Sequence, residues 1–257
     1  MVKGLYTAYT GMINEQYRLD VVANNLANAA TVGYKKESVS NQSFDDVLAV
    51  KVNDETVGNL NQRIGSMSLG VKFGENYTDY SQGSLHQTGN TFDLAIQGKG
   101  FFRVAVQNKN GSESIKYSRD GSFTVTSEGY VTDADGNRLM GEDGYIQVPT
   151  NAGEVSIDAS GNIYSDGEYV NRITLADFED YNYLEKYADD LYQTVDGATE
   201  IDSSGSILQG YTEQSNVSTV KEMVDMISIT RAYEANQKVI TTVDTMLDKA
   251  VNQVGKL

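Results

Sequence analysis

The chain has 257 residues but no cysteine, no tryptophan, one proline and one histidine. Without cysteine, disulfides, thiolate catalysis and cysteine-based zinc sites are excluded. The single histidine, His86, excludes a histidine-rich metal site as well. Twenty-four glycines beside one proline are typical of many tight turns between strands, and not of a disordered proline-rich tract.

Basic residues are also scarce, because 20 lysines and arginines face 36 acidic residues, for a formal net charge of −16. This balance argues against binding of nucleic acid or of an anionic membrane surface, since both need basic patches. No apolar run approaches the ~20 residues that span a bilayer. The first residues lack the apolar core of a secretory signal, so we expect a cytoplasmic protein or one exported without a cleaved signal peptide.

The stretch from residue 217 to 254 is long enough for one uninterrupted helix of ~57 Å at 1.5 Å per residue. Apolar residues recur in it with the 3–4 spacing of a heptad repeat, which predicts lengthwise packing on another helix. Asn236 interrupts this face, and a polar residue at such a position can fix the register between partners. We call the following residues the heptad face of this helix: Met226, Ile229, Tyr233, Asn236, Ile240, Val243 and Leu247.

Residues 3–30 predict a second helix with the same period. Leu5, Met12, Leu19 and Leu26 recur every seven residues, with Tyr9, Gln16 and Ala23 following the first three by four. We expect the two terminal helices to pair with each other or with copies of themselves; the alternative is an ordinary surface helix on a globular core. Three asparagines at the end of this helix are typical of a cap or turn, and Gly33 is placed to end it.

The middle of the chain, about residues 82–207, predicts short strands joined by hairpins in a small all-β barrel or sandwich. Polar residues precede glycine at seven predicted tight turns. These pairs are Asn110-Gly111, Asp120-Gly121, Glu128-Gly129, Asp135-Gly136, Asp143-Gly144, Ser160-Gly161 and Asp166-Gly167. The tyrosine-rich stretch 181–194 is interpreted as a short helix or an irregular loop whose tyrosines pack on the β domain.

Residues 35–80 are polar and have no sustained period, so they are interpreted as an extended connecting region. Within them, the spacing of Phe44, Val47 and Leu48 is typical of one amphipathic helical turn.

Three blocks of the sequence resemble the axial rod and hook proteins of the bacterial flagellum. One block spans residues 82–104 and another residues 209–236, at the centre and the C-terminal end of the chain. Gly4-Leu5-Tyr6-Thr7-Ala8 favours the FlgF type over the FlgG type, although Gln209-Gly210-Tyr211 is found in both. The N-terminal block, which we call the assembly signature, contains Asn24, Asn25, Leu26, Asn28, Thr31, Gly33 and Tyr34.

The resemblance implies an α+β protein with long terminal helices pairing in a coiled-coil-like layer and a mainly-β domain inserted between them. The expected domains are a helical axial layer at 1–34 and 212–257, a connection at 35–80 and a β domain at 81–211. It implies a structural rod subunit in the basal body that transmits torque from motor to hook. Its expected partners are copies of itself, other axial proteins and the flagellar type III export apparatus.

We expect no enzyme, cofactor or metal, no nucleic acid and no direct membrane insertion. Asp45-Asp46 and Asp189-Asp190 are interpreted as solvated charges, because adjacent residues do not face each other on a helix. The segment from Asp133 to Asn137 is interpreted as a turn, because it lacks the spacing of a calcium loop. The alternative hypothesis is a soluble β-domain protein, carbohydrate-binding or hydrolytic, with a helical oligomerisation arm.

Overall fold

The computed structural model describes residues 2–51, 62–107, 111–150 and 153–254. These fall into two compact units, of which unit 1 takes residues 1–26, 37–78 and 218–257 and unit 2 takes residues 27–36 and 79–217. The chain therefore passes from one unit to the other after residues 26, 36, 78 and 217. The fold is α+β, with a helix at each end and strands between them, as the sequence predicts.

Unit 1 contains both long helices and four strands. The described helices include none that is both long enough and apolar enough to span a membrane. Strand β1 pairs antiparallel with β4, and β2 with β3, with one register irregularity in each pair. The bounds are α1 Val2–Ala27, β1 Glu37–Ser43, β2 Val47–Lys51, β3 Gln62–Met67, β4 Val71–Thr78 and α2 Thr219–Lys249, which continues as a π-helical turn, Ala250–Val254.

The strands of unit 1 correct one prediction. The amphipathic helical turn expected at Phe44, Val47 and Leu48 is wrong, because residue 47 begins β2. Strand β1 has the sequence ESVSNQS, which is too polar to predict a strand, and it is only half-buried or exposed along its length. Its pairing with β4, and not its own β propensity, therefore determines its conformation. Residues 52–61 of the predicted connecting region lie outside the described residues.

The described residues of unit 2 form seventeen short strands and one 3₁₀ turn at Tyr181–Tyr183. The strands are β5 Leu85–Gln87, β6 Leu94–Gln97, β7 Phe101–Gln107, β8 Glu113–Ser118, β9 Thr124–Val125, β10 Val131–Thr132, β11 Arg138–Gly141, β12 Gly144–Tyr145, β13 Val155–Ile157, β14 Asn162–Ser165, β15 Glu168–Arg172, β16 Leu175–Phe178, β17 Leu184–Lys186, β18 Leu191–Thr194, β19 Glu200–Asp202, β20 Ser206–Gln209 and β21 Tyr211–Glu213.

The largest sheet of unit 2 has ten strands, with the central order β17-β18-β8-β7-β11-β10-β9 and with β12, β16 and β19 attached beside it. Strands β13, β14 and β15 form a second sheet, and the pairs β20-β6 and β21-β5 form two more. The expected barrel is therefore wrong: the strands described for the middle of the chain form separate sheets and do not close into a barrel. In the largest sheet the two end strands of the central order, β17 and β9, do not pair with each other, so the sheet stays open.

The predicted hairpin turns are found at most of their positions. Asp166 and Gly167 both have positive φ, 51° and 86°, as a two-residue hairpin between β14 and β15 requires. Asp120-Gly121 is an exception, because it joins β8 to β9, which do not pair with each other. A Cβ on Gly121 would lie 1.6 Å from the Leu94 carbonyl oxygen, so close packing requires glycine there. Asn110 lies outside the described residues.

Two apolar clusters stabilise unit 2. The larger packs β-strand residues such as Phe102, Leu139 and Ile163, each at most 1% exposed. The smaller surrounds Phe101 with Tyr192 and other aromatic rings. Burying each such side chain contributes ~1.5–3 kcal/mol. The predicted short helix or loop at 181–194 is corrected, because after the 3₁₀ turn the chain forms β17 and β18.

Candidate assembly site

Asn25, in the assembly signature, joins three elements of unit 1. Its Nδ2 donates to the Glu37 carbonyl oxygen at 2.8 Å and its Oδ1 accepts from the Glu37 backbone N–H at 2.9 Å. The same Nδ2 lies 3.3 Å from Glu222 Oε2. Asn25 and Glu222 are each 1% exposed. The side chain thus links the end of α1 to the start of β1 and to the first turn of α2, where a carboxylate also complements the helix dipole.

A second contact joins the two helices farther along. A Cβ on Gly11 would lie 3.0 Å from Asn236 Nδ2, so the missing side chain of Gly11 leaves room for Asn236. Along α1, Asn25 follows Gly11 by fourteen positions. Along α2 the order of their partners is reversed, because Glu222, which contacts Asn25, precedes Asn236, which contacts Gly11, by fourteen positions. The two helices therefore run antiparallel between these contacts. Asn236, predicted to fix register, lies at one of them.

The heptad face of α2 is the less exposed side of that helix. Ile229 is 3% exposed and is the most buried residue of the face, whereas Leu247 is 41% exposed. The residues between them on this face, and Met226, are half-buried. The face predicted for α2 is thus the face on which the helix packs. Its burial decreases towards the C-terminal end of the helix.

The phase predicted for α1 is only half right. Leu5, Met12 and Leu19 are half-buried as expected, but Tyr9, Gln16 and Ala23 are exposed. The positions one residue earlier take their place: Ala8 is 5% exposed, and Glu15 and Val22 are half-buried. A spacing of three and a spacing of four both keep residues on one face of a helix, so the sequence pattern alone did not separate them.

The strands of unit 1 cover another side of α1, which the sequence did not indicate. Asn14, 3% exposed, donates from Nδ2 to Asn41 Oδ1 at 3.2 Å. Thr7 Oγ1 donates to the Leu69 carbonyl oxygen at 3.0 Å. The rings of Tyr17 and Phe73 lie 5.4 Å apart. Asn41, Leu69 and Phe73, all from the predicted connecting region, therefore pack on the helix.

The later residues of the assembly signature belong to unit 2. Thr31 Oγ1 donates to Asn28 Oδ1 at 3.1 Å in the turn after α1. Gly33 does not end the helix, which already ends at Ala27. Its φ is 72°, and a Cβ there would lie 2.3 Å from the Asp120 backbone nitrogen. Close backbone packing therefore requires glycine at position 33.

Directly after Gly33, the chain enters a buried group of charges that we call the ion cluster: Lys35, Arg119 and Glu213. Glu213 is fully buried, and its Oε1 accepts from Lys35 Nζ at 2.5 Å. Its Oε2 accepts from Arg119 Nη1 at 3.1 Å, and the Gly83 backbone N–H donates to Oε1 at 2.8 Å. Burial lowers the pKa of the Lys35 ammonium, and the Glu213 carboxylate opposes this shift.

Hydrogen bonds also join the backbone segments around the ion cluster. The Gly33 N–H donates to the Glu213 carbonyl oxygen at 2.8 Å. Asn216 accepts from the Lys36 N–H and donates to the Asp79 carbonyl oxygen, both at 2.8 Å. Two blocks of the sequence that resemble the flagellar family, one near each chain end, thus meet in unit 2. Glu213 lies within the C-terminal block, residues 209–236, but the sequence did not indicate the ion cluster, because single charged residues far apart in the chain carry no periodic signal.

Leu26 and Asn24 of the assembly signature lie on α1, where Leu26 is half-buried and Asn24 is exposed. Tyr34 is fully buried, with Lys186 Nζ 4.2 Å from its ring centroid. The structure therefore divides the assembly signature between the two units, with residues 24–26 in unit 1 and residues 28–34 in unit 2.

The residues considered for catalysis or metal binding lie in turns and on the surface. His86 is exposed in β5, and Asp45, Asp46 and Asp189 are exposed. Asp190 is half-buried, so its interpretation as a solvated charge is wrong. Asp133 accepts hydrogen bonds from the Asp135 and Asn137 backbone N–H groups and from Asn137 Nδ2. These contacts are typical of a turn stabilised by its own aspartate, as the sequence predicts.

Three models of protein families match the chain. They are described as "Flagella basal body rod protein" over residues 5–35, "Flagellar hook protein FlgE/F/G D1 domain" over residues 95–165 and "Flagellar basal body rod FlgEFG protein C-terminal" over residues 208–254. The matched regions include the whole assembly signature, part of the ten-stranded sheet and all of α2.

Relatives match over almost the whole length. The chain is 35% identical to the flagellar basal-body rod protein FlgG of Agrobacterium fabrum, covering 95% of this chain and 97% of that protein. It is 31% identical to FlgG of Bacillus subtilis, covering 98% and 99%. It is 34% identical to the flagellar basal-body rod protein FlgF of Caulobacter vibrioides over the full length of both. These similar identities do not separate the two types, so the assignment to the FlgF type stays a prediction.

Proposed function

This chain belongs to the flagellar basal-body rod protein family and is a structural subunit of the rod, and we propose that it assembles with its neighbours through its two terminal helices. Copies of itself and other rod and hook axial proteins are its partners in this proposal. The protein then acts mechanically, by transmitting torque from the motor to the hook. The carbohydrate-binding or hydrolytic alternative has no support among the relatives.

One observation carries the proposal: α1 and α2 meet antiparallel, at Asn25 with Glu222 and at Gly11 with Asn236, while part of the heptad face stays accessible. Such a pair presents a long, regular surface to other helices. We propose that α1 and α2 form the axial, coiled-coil-like layer and that the β domain predicted at 81–211 forms the outer domain. Long helices packed along an axis resist twisting because many contacts must break together.

The ion cluster supports the mechanical part of this proposal. It holds the backbone after α1 and the backbone before α2 to the sheets of unit 2, through charge-assisted hydrogen bonds in a buried environment. Force on either helix therefore reaches unit 2 through two anchored segments. We further propose export through the flagellar type III apparatus without a cleaved signal peptide, location in the basal body and no insertion into the membrane.

A deletion strain complemented with variants tests the proposal. Leu19→Asp and Ile240→Asp each place a charge on a half-buried helix position, and we expect loss of motility and loss of the chain from isolated basal bodies. Thr241→Asp, next to Ile240 but exposed, is the matched control and should retain both motility and incorporation into basal bodies. The near-ultraviolet circular dichroism of the purified variants should stay unchanged, because it reports the packing of aromatic side chains such as the tyrosines of unit 2. Normal motility with Ile240→Asp would refute assembly through the heptad face.

A further inference from the structure

Three threonines near the end of α2 bond back to the backbone of their own helix. Thr241 and Thr242 both donate from Oγ1 to the Lys238 carbonyl oxygen, at 3.0 and 2.7 Å. Thr245 donates from Oγ1 to the Thr242 carbonyl oxygen at 2.8 Å. Hydroxyl bonds of this kind compete with the hydrogen bonds of the helix backbone, so they bend or weaken a helix locally.

The same segment contains five consecutive residues that are branched at Cβ, residues 239–243. Such side chains lose rotamer freedom in a helix, so their helix propensity is lower than that of alanine or leucine. Tertiary packing compensates for low propensity in most helices, but it contributes little here. Among the side chains described from residue 241 to residue 252, none is buried and only Val243 is half-buried.

The antiparallel register places this segment near the end of the helix pair. Gly11 lies against Asn236, so Gly4, seven positions earlier, lies opposite Val243, seven positions later. A Cβ on Gly4 would have no heavy atom within 4 Å, whereas a Cβ on Gly11 would lie 3.0 Å from Asn236 Nδ2. Close packing therefore requires glycine at position 11 and not at position 4. The last turns of α2 extend past the start of α1, because residue 2 lies opposite residue 245.

From the hydroxyl bonds, the branched residues and the low burial we infer that residues 238–245 are a hinge in α2. The end turns, residues 246–254, open and close together with this hinge as one unit, separately from the packed part of the helix at residues 219–237. The π-helical turn Ala250–Val254 lies within the end turns. The packed part, which contains Glu222, Ile229 and Asn236, keeps the register with α1.

The role of the hinge rests on the proposed function. Within an axial layer, the packed part of α2 transmits force, and the end turns take the direction that a neighbouring subunit requires. A rod subunit with this hinge adapts its contacts without breaking the pairing of its own two helices.

Hydrogen exchange of the purified full-length chain, followed by mass spectrometry, tests the hinge. We expect a step in the exchange rate at residues 238–245, with the end turns exchanging together and faster than the packed part. Ordinary fraying would instead increase the rate gradually towards the C-terminus. A gradual increase, or equal exchange on both sides of the hinge, would overturn the inference.

A stiffened variant provides a second readout. Thr241→Ala/Thr242→Ala/Thr245→Ala removes the three hydroxyl bonds and raises helix propensity, so we expect exchange of the end turns to slow by about tenfold. Thr230→Ala is the matched control, because Thr230 is exposed and donates to the Met226 carbonyl oxygen at 2.8 Å but lies in the packed part. It should leave exchange of the end turns unchanged. Unchanged exchange of the end turns in the stiffened variant would also overturn the inference.

Basal bodies isolated from a complemented deletion strain separate the hinge from the proposed function. We expect them to contain less of the stiffened variant than of Thr230→Ala. Equal amounts of the two variants would overturn the role of the hinge in assembly. Absence of the wild-type chain from basal bodies would refute the proposed function, whereas the exchange step in the purified chain would still establish the hinge.

Discussion

Lys35 and Glu213, 178 positions apart in the sequence, form a buried ion pair with 2.5 Å between Nζ and Oε1. Arg119 adds a second positive charge to the same carboxylate. All three side chains are at most 3% exposed, so water does not replace any partner that is removed. The pair joins the segment after the first helix to the strand that precedes the last helix.

We expect Glu213→Gln to destabilise the protein by ~3–5 kcal/mol, because it leaves two buried cations without their counter-charge. Glu185→Gln is the matched control: Glu185 is exposed in β17, and the same change there should cost less than ~0.5 kcal/mol. Denaturant unfolding followed by tyrosine fluorescence measures both. Equal stability of the two variants would mean that the ion cluster contributes nothing to folding.

Two glycines with similar backbone angles should respond differently to alanine. Gly33 and Gly136 have φ values of 72° and 86°, so alanine is strained at both, by ~1 kcal/mol. A Cβ at Gly136 meets open space, whereas one at Gly33 would lie 2.3 Å from a backbone nitrogen. We expect Gly33→Ala to cost at least ~2 kcal/mol more in the free energy of unfolding, as overpacking does. Similar costs at the two positions would exclude close packing as the reason for Gly33.

Asn25→Ala should destabilise unit 1 by ~1–3 kcal/mol, because both backbone polar groups of Glu37 lose their buried partner. We also expect the variant to lower motility in a complemented deletion strain. Asp45→Asn changes an exposed loop carboxylate and should leave motility unchanged. If cells that carry either variant are equally motile, Asn25 only terminates a helix and has no role in assembly.

The stability of the protein should depend on pH through Asp190. Burial, together with the neighbouring carboxylates of Asp120, Asp133 and Asp135, raises the pKa of Asp190 to about 6. The native state therefore holds this proton between roughly pH 4 and 6 while the unfolded state releases it, so the contribution of Asp190 to stability falls as pH rises through 6.

Asp190→Asn should consequently unfold like the wild type at pH 4.5 and be more stable than the wild type at pH 8. Asp189→Asn, at the exposed neighbouring position, should show no such difference between the two pH values. Thermal unfolding at both pH values measures the effect. A gain at pH 4.5 as large as the gain at pH 8 would indicate a packing effect and not titration.

The sequence predicts those parts of the fold that repeat along the chain. Periodic apolar residues identified both helices and the packed face of α2, and Asp166-Gly167 identified a hairpin by its positive φ requirement. The packed face of α1 was harder to predict, because Tyr9 and Ala8 both fit a heptad spacing with Leu5. Only the packing of the helix shows that Ala8 is buried and Tyr9 is exposed. Strand β1 was missed because its conformation depends on its pairing with β4, which begins 28 positions after β1 ends.

The candidate site was also predicted only in part from the sequence. Asn25 and Gly33 were recognised from a motif, but the motif did not indicate that one bridges two helices and a strand while the other packs against a backbone. Lys35, Arg119 and Glu213 are separated by 84 residues or more, and nothing local to any of them indicates burial. Their pairing is a property of the assembled sheets. The barrel prediction failed for a related reason, since turn signals count hairpins but do not determine which strands pair.

Each unit is discontinuous in the chain, and this has a consequence for the order of folding. Unit 2 needs residues 27–36 and also Glu213, and unit 1 needs α1 and also α2. A polypeptide made from its N-terminus therefore completes neither unit until more than four-fifths of its length exists. Contacts so distant in sequence form slowly, because a long loop must close first. The topology thus delays completion of both units until nearly the whole chain has been made.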